Sequence, residues 1–333
     1  RGDRERALRN AGLALATPPL AAWRSHWPGV TFESWSDGDL RHDLLLTPAG
    51  SLTATTRVAV DRRLACDLPY DASLMRCEIE VEPWIKGAAD IPPAIAWIEA
   101  ETYVPDHVVY EHARYDYGED ALLAMRGPVA PTAAAYALCG AHPETWQRLT
   151  AQAPAALEAL VAALARRERR KLAALAGCQA DLLLLGGDES AAPATADDAL
   201  PRRYDLPLLL AAARQGAAAG LRCALEADAL PAALLATLAQ SAPFAAWVAA
   251  WPRAGALPAT GALWLKLDRE TLAAGSEQAQ AVAAGLVHAA AGRGLVVDLG
   301  DAGLARCTVA AERERLVAAA AAVLATVGGY GVG

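Results

Sequence analysis

Residues 181–188 read Asp-Leu-Leu-Leu-Leu-Gly-Gly-Asp, and the fold turns on how this stretch is read. A short, unbroken apolar run closed by two glycines has the signature of a strand buried on both faces, which is how a parallel strand under crossover helices reads. Upstream, residues 154–176 carry helical periodicity, open on Pro154 and stop at Gly177, as a proline at the first helical position and a glycine after the last turn predict. Downstream the alternation continues. Helices are predicted at 206–219, 230–240, 277–291 and 310–326. Strands are predicted at 221–225, 244–248, 262–267 and 294–299. Residues 107–111 (HVVYE) add an earlier strand candidate, with a helix at 119–126. Repeated strand–helix units imply a parallel sheet with right-handed crossovers. Their number and the 333-residue length favour a single (β/α)8 barrel spanning 1–333, since such barrels reach this size as one domain. Residues 101–333 hold the main alternation. Residues 1–100 form an N-terminal extension: a helix at 4–15, a loop-rich stretch with Trp23, Trp27 and Trp35, a hairpin over 42–60 turning at Pro48-Ala49-Gly50, an amphipathic piece at 78–86 and a helix at 88–101. An open dinucleotide-binding sheet is the main alternative, but it carries a glycine-rich phosphate fingerprint, and Gly186-Gly187-Asp188 is not GxGxxG.

The bulk numbers narrow the class. Hydrophobic residues make up 54% and charged residues 20%. The net charge of −8 and pI near 5.3 argue against a nucleic-acid binder, which needs a basic face. The one dense basic run, residues 166–171, lies inside a helical pattern and is read as its solvated face. A mean hydropathy of +0.19 reflects alanine rather than a spanning helix, so no membrane association is expected. Six scattered cysteines without a CxxC pair fit free thiols in a reducing cytoplasm.

In an α/β barrel the chemistry gathers where strands end. That rule selects Glu111, His112, Arg114 and Tyr115 after residues 107–110, Asp188 and Glu189 after 181–185, and Glu226 and Asp228 after 221–225. It also selects Trp251 after 244–248, Lys266, Asp268 and Arg269 within and after 262–267, and Asp298 and Asp301 after 294–297. Each has a plainer reading. Glu111-His112 suits an ordinary surface pair, Asp188-Glu189 a helix cap, and Asp298 and Asp301 turn formation. Lys266 is either outward-facing or a paired pocket cation. The tryptophans serve equally as core or as the lining of a flat ligand. Cys223 and Cys307 suit small buried hydrophobes.

Several segments, taken in order, resemble the uroporphyrinogen decarboxylase-like superfamily. Thr47-Pro48-Ala49-Gly50-Ser51-Leu52-Thr53 followed by Arg57 is similar to its TPxGxL segment. Glu82-Pro83-Trp84-Ile85-Lys86 with Ala89-Asp90-Ile91 resembles its ExxIKxxxD stretch. Ala180-Asp181 through Gly187-Asp188, then Arg203-Tyr204, Pro207 and Gly220, resembles its central strand–turn pattern, and the tail at Gly328-Gly329-Tyr330-Gly331 also fits. The likeness covers roughly residues 40–331.

The resemblance implies a (β/α)8 barrel and one of two chemistries. The Arg-rich N-terminal segment with which true decarboxylases clamp propionates has no counterpart; Arg24 and His26 are the nearest polar residues. This points to the cobalamin-dependent methyltransferase branch, moving a methyl group between a corrinoid protein or methylated small molecule and a thiol or folate-type acceptor. Zinc members of that branch carry His-x-Cys after the corresponding strand and a later Cys. Here Glu226 stands at the His position, Asp228 near the first Cys and Cys307 near the second. The expected site is therefore Glu226, Asp228 and Asp188 at the reacting centre, with His112, Arg114, Tyr204, Glu189, Lys266 and Trp23 binding substrate, and zinc, if present, on Glu226, Asp228 and Cys307. The implied cofactors are zinc, a corrinoid on a partner protein, or tetrahydrofolate. The oligomeric state is open, a homodimer among the options. The alternatives are a decarboxylase or lyase in which Arg24, Arg114 and Lys266 hold carboxylates, and a ligand-binding member without turnover.

Overall fold

The computed structural model describes residues 20–60, 76–117, 122–175, 180–187, 199–250, 257–267, 271, 274–290, 295–298 and 318–327, apart from 22, 229, 243, 259 and 324. The helix expected at 4–15 lies outside these residues. Contacts divide the chain into two compact units, residues 1–34, 43–54 and 82–245, and residues 35–42, 55–81 and 246–333.

Residues 31–82 do not form the mixture of loop and hairpin expected. They supply a four-stranded antiparallel sheet in the order β2 (Thr31–Asp37), β3 (Leu40–Thr47), β4 (Gly50–Val60) and β5 (Arg76–Glu82). The expected hairpin is its β3–β4 turn. There the Thr47 hydroxyl donates to the Gly50 carbonyl (2.8 Å) and accepts the Ala49 N–H (3.2 Å).

In the first unit, β1 (Trp23–His26) pairs antiparallel with β6 (Thr102–Pro105). Helix α1 (Ile91–Ala100) buries Ile91, Ala94 and Ile98 against the long helix α5 (Pro154–Ala174). Between them in the chain come α2 (Val108–Tyr117), β7 (Ala124–Val129), α3 (Pro131–Leu138) and α4 (Pro143–Gln152). After α5 follow β8 (Leu182–Gly186), α6 (Leu206–Ala218), β9 (Arg222–Glu226) and α7 (Ala232–Ser241). Strands β7, β8 and β9 are parallel neighbours, with Leu182 opposite both Ala124 and Arg222. All of β8 is buried, as its composition predicts. The TPxGxL and ExxIKxxxD segments prove to be one interlocked scaffold. Lys86 Nζ donates to the Thr53 carbonyl (2.5 Å) and the Pro83 carbonyl (3.1 Å), while the Asp90 carboxylate accepts the N–H groups of Lys86 (2.8 Å) and Gly87 (3.0 Å).

In the second unit, β10 (Ala246–Ala250), β11 (Ala262–Lys266) and β12 (Leu295–Asp298) are parallel neighbours, and helix α8 (Ser276–Ala290) joins β11 to β12. Trp247 is buried, and its indole N–H donates to the Thr260 carbonyl (2.5 Å).

The expected (β/α)8 barrel is corrected by this architecture. The described residues hold six parallel strands in two runs of three, and the remaining strands belong to antiparallel sheets. Two local readings account for part of the difference. Residues 108–117 are helical, not a strand, because Tyr110 and Ala113 bury at helical spacing. Residues 124–126, the end of the helix expected at 119–126, fall instead in β7 (Ala124–Val129). Its register shifts between Arg126 and Val129, across Gly127-Pro128, and a bulge of this kind accommodates a proline that has no N–H for the ladder.

Helix α5 contains the largest departure from the sequence reading. Its buried stripe runs Leu157, Leu160, Val161, Leu164, Ala165, Glu168 and Leu172, so a glutamate occupies a core position. The basic run 166–171 is thus only in part a solvated face. Glu168 is fully buried; its Oε1 accepts Arg167 Nε (2.9 Å) and Lys171 Nζ (2.8 Å), and its Oε2 accepts the Val129 N–H (3.0 Å). That N–H belongs to the strand residue just beyond the bulge. Lys171 Nζ also stands 5.7 Å from the centre of the Trp23 ring and 5.8 Å from that of Tyr103, within cation–π range. Burial lowers the Lys171 pKa against the opposing pull of Glu168. For Arg167 burial works the same way, but the attraction of Glu168, Tyr103 and Glu101 more than offsets it and its pKa is raised.

Candidate functional site

Glu226 and Asp228 stand at the carboxyl end of β9, beside the end of its parallel neighbour β8. β8 closes on Gly186, whose φ of 89° is the left-handed conformation that favours glycine. A Cβ at Gly186 would lie 2.9 Å from Leu225 Cδ1 and 3.1 Å from the Glu226 carbonyl oxygen. At Gly187 the fit is closer still. A side chain there would coincide with the Glu226 carboxylate and lie 2.6 Å from Glu226 Cβ. The missing side chain of Gly187 is therefore the space that the Glu226 side chain fills. Glu226 is the last residue of β9 and half-buried, and the half-buried Asp228 follows in the turn beyond buried Ala227.

The turn leaving β7 borders the same strand ends. The Ala130 N–H donates to the Gly186 carbonyl (3.4 Å). Two residues on, Thr132 donates its N–H to Asp205 Oδ1 (3.0 Å) and its hydroxyl to Asp205 Oδ2. Asp205 ends a single turn of π-helix (Pro201–Asp205) and is 1% exposed. Burial pushes its pKa up to about 7, against the two hydrogen bonds from Thr132 that lower it.

Of the residues expected to act, the structure places Glu226 and Asp228 at the strand ends. Asp188, Glu189 and Cys307 lie outside the described residues, as do Trp251, Asp268, Arg269 and Asp301. The others are elsewhere. His112 is exposed on α2, a helix rather than the expected strand end. Arg114, on the same helix, pairs with Asp181 (3.5 Å), which stands before the first residue of β8 and so at the opposite end of the strands from Glu226. Tyr204 donates to Glu158 (3.0 Å), which also pairs with Arg203. Trp23 packs edge-on to Tyr103, beside Lys171. Lys266 ends β11 in the second unit, opposite Asp298 in the ladder. Cys223 is a buried free thiol, its pKa pushed up to about 11 by burial, which agrees with the reading of it as a small hydrophobe. Sequence reasoning missed Asp205, Thr132 and Glu168. The signal for Glu168 was present as an acid falling on the apolar stripe of α5.

Among the described residues no group of three or more His, Cys, Asp or Glu side chains converges as a metal site. Glu226 and Asp228 are the described members of the expected zinc set, and two carboxylates do not supply the nitrogen and sulfur ligands of a thiol-activating zinc. Also among the described residues, no helix is long and apolar enough to cross a membrane.

No family model matches the sequence, and no curated protein matches it. Among solved structures, a methyltransferase from Methanosarcina mazei superposes with a TM-score of 0.45 and 14% identity, over 73% of this chain and 72% of that one.

Proposed function

We propose that the protein is a methyltransferase acting on a small molecule, with Glu226 as its acid–base group. The observation that carries this reading is the seat of the Glu226 carboxylate over Gly187. It fixes an ionisable oxygen pair at the carboxyl ends of parallel strands, where α/β proteins place their ligands. The segment likenesses to the uroporphyrinogen decarboxylase-like superfamily, with no counterpart of the Arg-rich segment of its decarboxylases, suggest the reaction class. The donor is a methylated corrinoid carried on a partner protein or a methylated folate-type molecule; the acceptor is a thiol or a folate-type nitrogen. Glu226 hydrogen-bonds the nitrogen or sulfur that changes its protonation as the methyl group moves, supplying or taking up that proton. Asp228 flanks it. Decarboxylation is disfavoured by the state of its expected clamps: Arg24 is paired with Asp106 (2.7 Å) and Arg114 with Asp181.

The test is methyl transfer by the purified chain from methylcobalamin and from methyltetrahydrofolate to a thiol. Glu226→Ala is expected to lower turnover by about 10²- to 10⁴-fold with an unchanged melting temperature. Full turnover in that variant removes Glu226 from the chemistry, and carbon dioxide release from a carboxylated substrate without either donor replaces methyl transfer with decarboxylation.

A further inference from the structure

We propose that Asp205 is a proton-operated lock: when neutral it holds the first turn of α3 to the π-helical turn Pro201–Asp205, and when ionised it releases them. The geometry is that of a latch. Asp205 is almost wholly withdrawn from water, and both its oxygens engage one residue, Thr132, the second residue of α3. Neither segment is far from the strand ends. Ala130, directly before α3, is bonded to the Gly186 carbonyl, so release at Thr132 frees the turn that borders Gly187 and Glu226.

Two influences oppose each other at the carboxyl group. The start of a helix and two donors favour the charge, whereas removal from water disfavours it. Burial is the larger, and it holds the pKa near 7. The turn packs against α3, α5 and α6. Its own Arg203 is committed to Glu158 of α5, and Arg166 of α5 to Glu99. Arg202 belongs to the turn itself, Tyr136 and Cys139 to α3 and its C-cap, and Arg214 lies on the exposed side of α6. The influences on Asp205 are burial and Thr132.

The sign follows from linkage. The carboxyl binds its proton more tightly when buried than when released, so the closed state is favoured fully below the unfolded value of about 4 and loses that advantage as the pH rises to about 7. Opening therefore grows about tenfold per pH unit over that window and levels off above it.

Amide hydrogen exchange of the full chain, corrected for the intrinsic rate, reads this directly. Between about pH 5 and about pH 8, protection of peptides covering 131–138 and 201–205 is expected to fall by up to about a hundredfold relative to peptides from α5. Asp205→Asn, which mimics the neutral acid, is expected to abolish that pH dependence. Thr132→Ser, which keeps both donors, should behave as the wild type. Equal protection at both pH values in the wild type, or the same fall in wild type and Asp205→Asn, overturns the lock. Because the wild-type profile decides alone, a poorly folding Asn variant does not blunt the test.

Discussion

Replacing Glu168 with alanine lowers the unfolding free energy by about 3–5 kcal/mol, the loss that follows when one partner of a buried ionic group is removed. The carboxylate is shared by Arg167 and Lys171, whose side chains are 16% and 12% exposed, and by the Val129 N–H. The alanine variant keeps both cations and the amide in place without their acceptor, and the cost is their desolvation rather than the value of the lost bonds. Urea denaturation monitored by tryptophan fluorescence gives the number. A companion variant distinguishes this from a simple cavity. Replacing Glu168 with glutamine keeps the size of the side chain and an acceptor oxygen for the Val129 N–H or a cation, and should recover part of the loss. A Glu168→Ala midpoint within about 1 kcal/mol of wild type would show that water reaches the cluster and that the cations do not need the carboxylate.

Gly187→Ala should cost both turnover and stability. The added methyl group takes the space of the Glu226 carboxylate and lies 2.6 Å from Glu226 Cβ, so the carboxylate is displaced and the ends of β8 and β9 must also shift. A displacement of about an ångström at a reacting group is enough for roughly a hundredfold loss in rate. The melting temperature should fall as well, because Glu226 Cβ is fixed to the main chain and cannot swing aside as the carboxylate can. The double variant Gly187→Ala, Glu226→Ala is expected to be no slower than Glu226→Ala alone, since both changes remove the same interaction. Wild-type turnover in the single variant would separate the carboxylate from the chemistry.

The parallel strands were legible where composition and burial agree. Leu182–Gly186 and Leu295–Asp298 read as strands because their apolar runs are short and closed by glycine or an acid. β7 was not legible, since Gly127 and Pro128 argue against a strand unless a bulge absorbs them, and a bulge is visible only once its neighbours are in place. Residues 31–37 were hidden for another reason. All seven are exposed, so no buried face imposed an alternation on them. The same logic divides the candidate site. Glu226 follows an apolar strand and was found by position. Asp205 was not, because its role depends on Thr132, 73 residues away. The family-like segments at the hairpin and at Lys86 and Asp90 form a scaffold, with their polar groups committed to main-chain hydrogen bonds.

One short contact near the start of the chain bears on how the molecule behaves in a crowded solution. Leu20 lies beside Met125 as a lone parallel bridge; its N–H donates to the Ala124 carbonyl (3.0 Å) and its carbonyl accepts the Arg126 N–H (2.9 Å). β7 is the terminal strand of its run, and a terminal strand with open amides is a template on which another chain can add. Leu20 occupies one carbonyl and one N–H of that edge, which leaves less of it open to another chain. A Leu20→Pro variant, without the N–H that the Ala124 carbonyl accepts, weakens this cover. Its expected defect is concentration-dependent clumping at an unaltered melting temperature, measurable by light scattering.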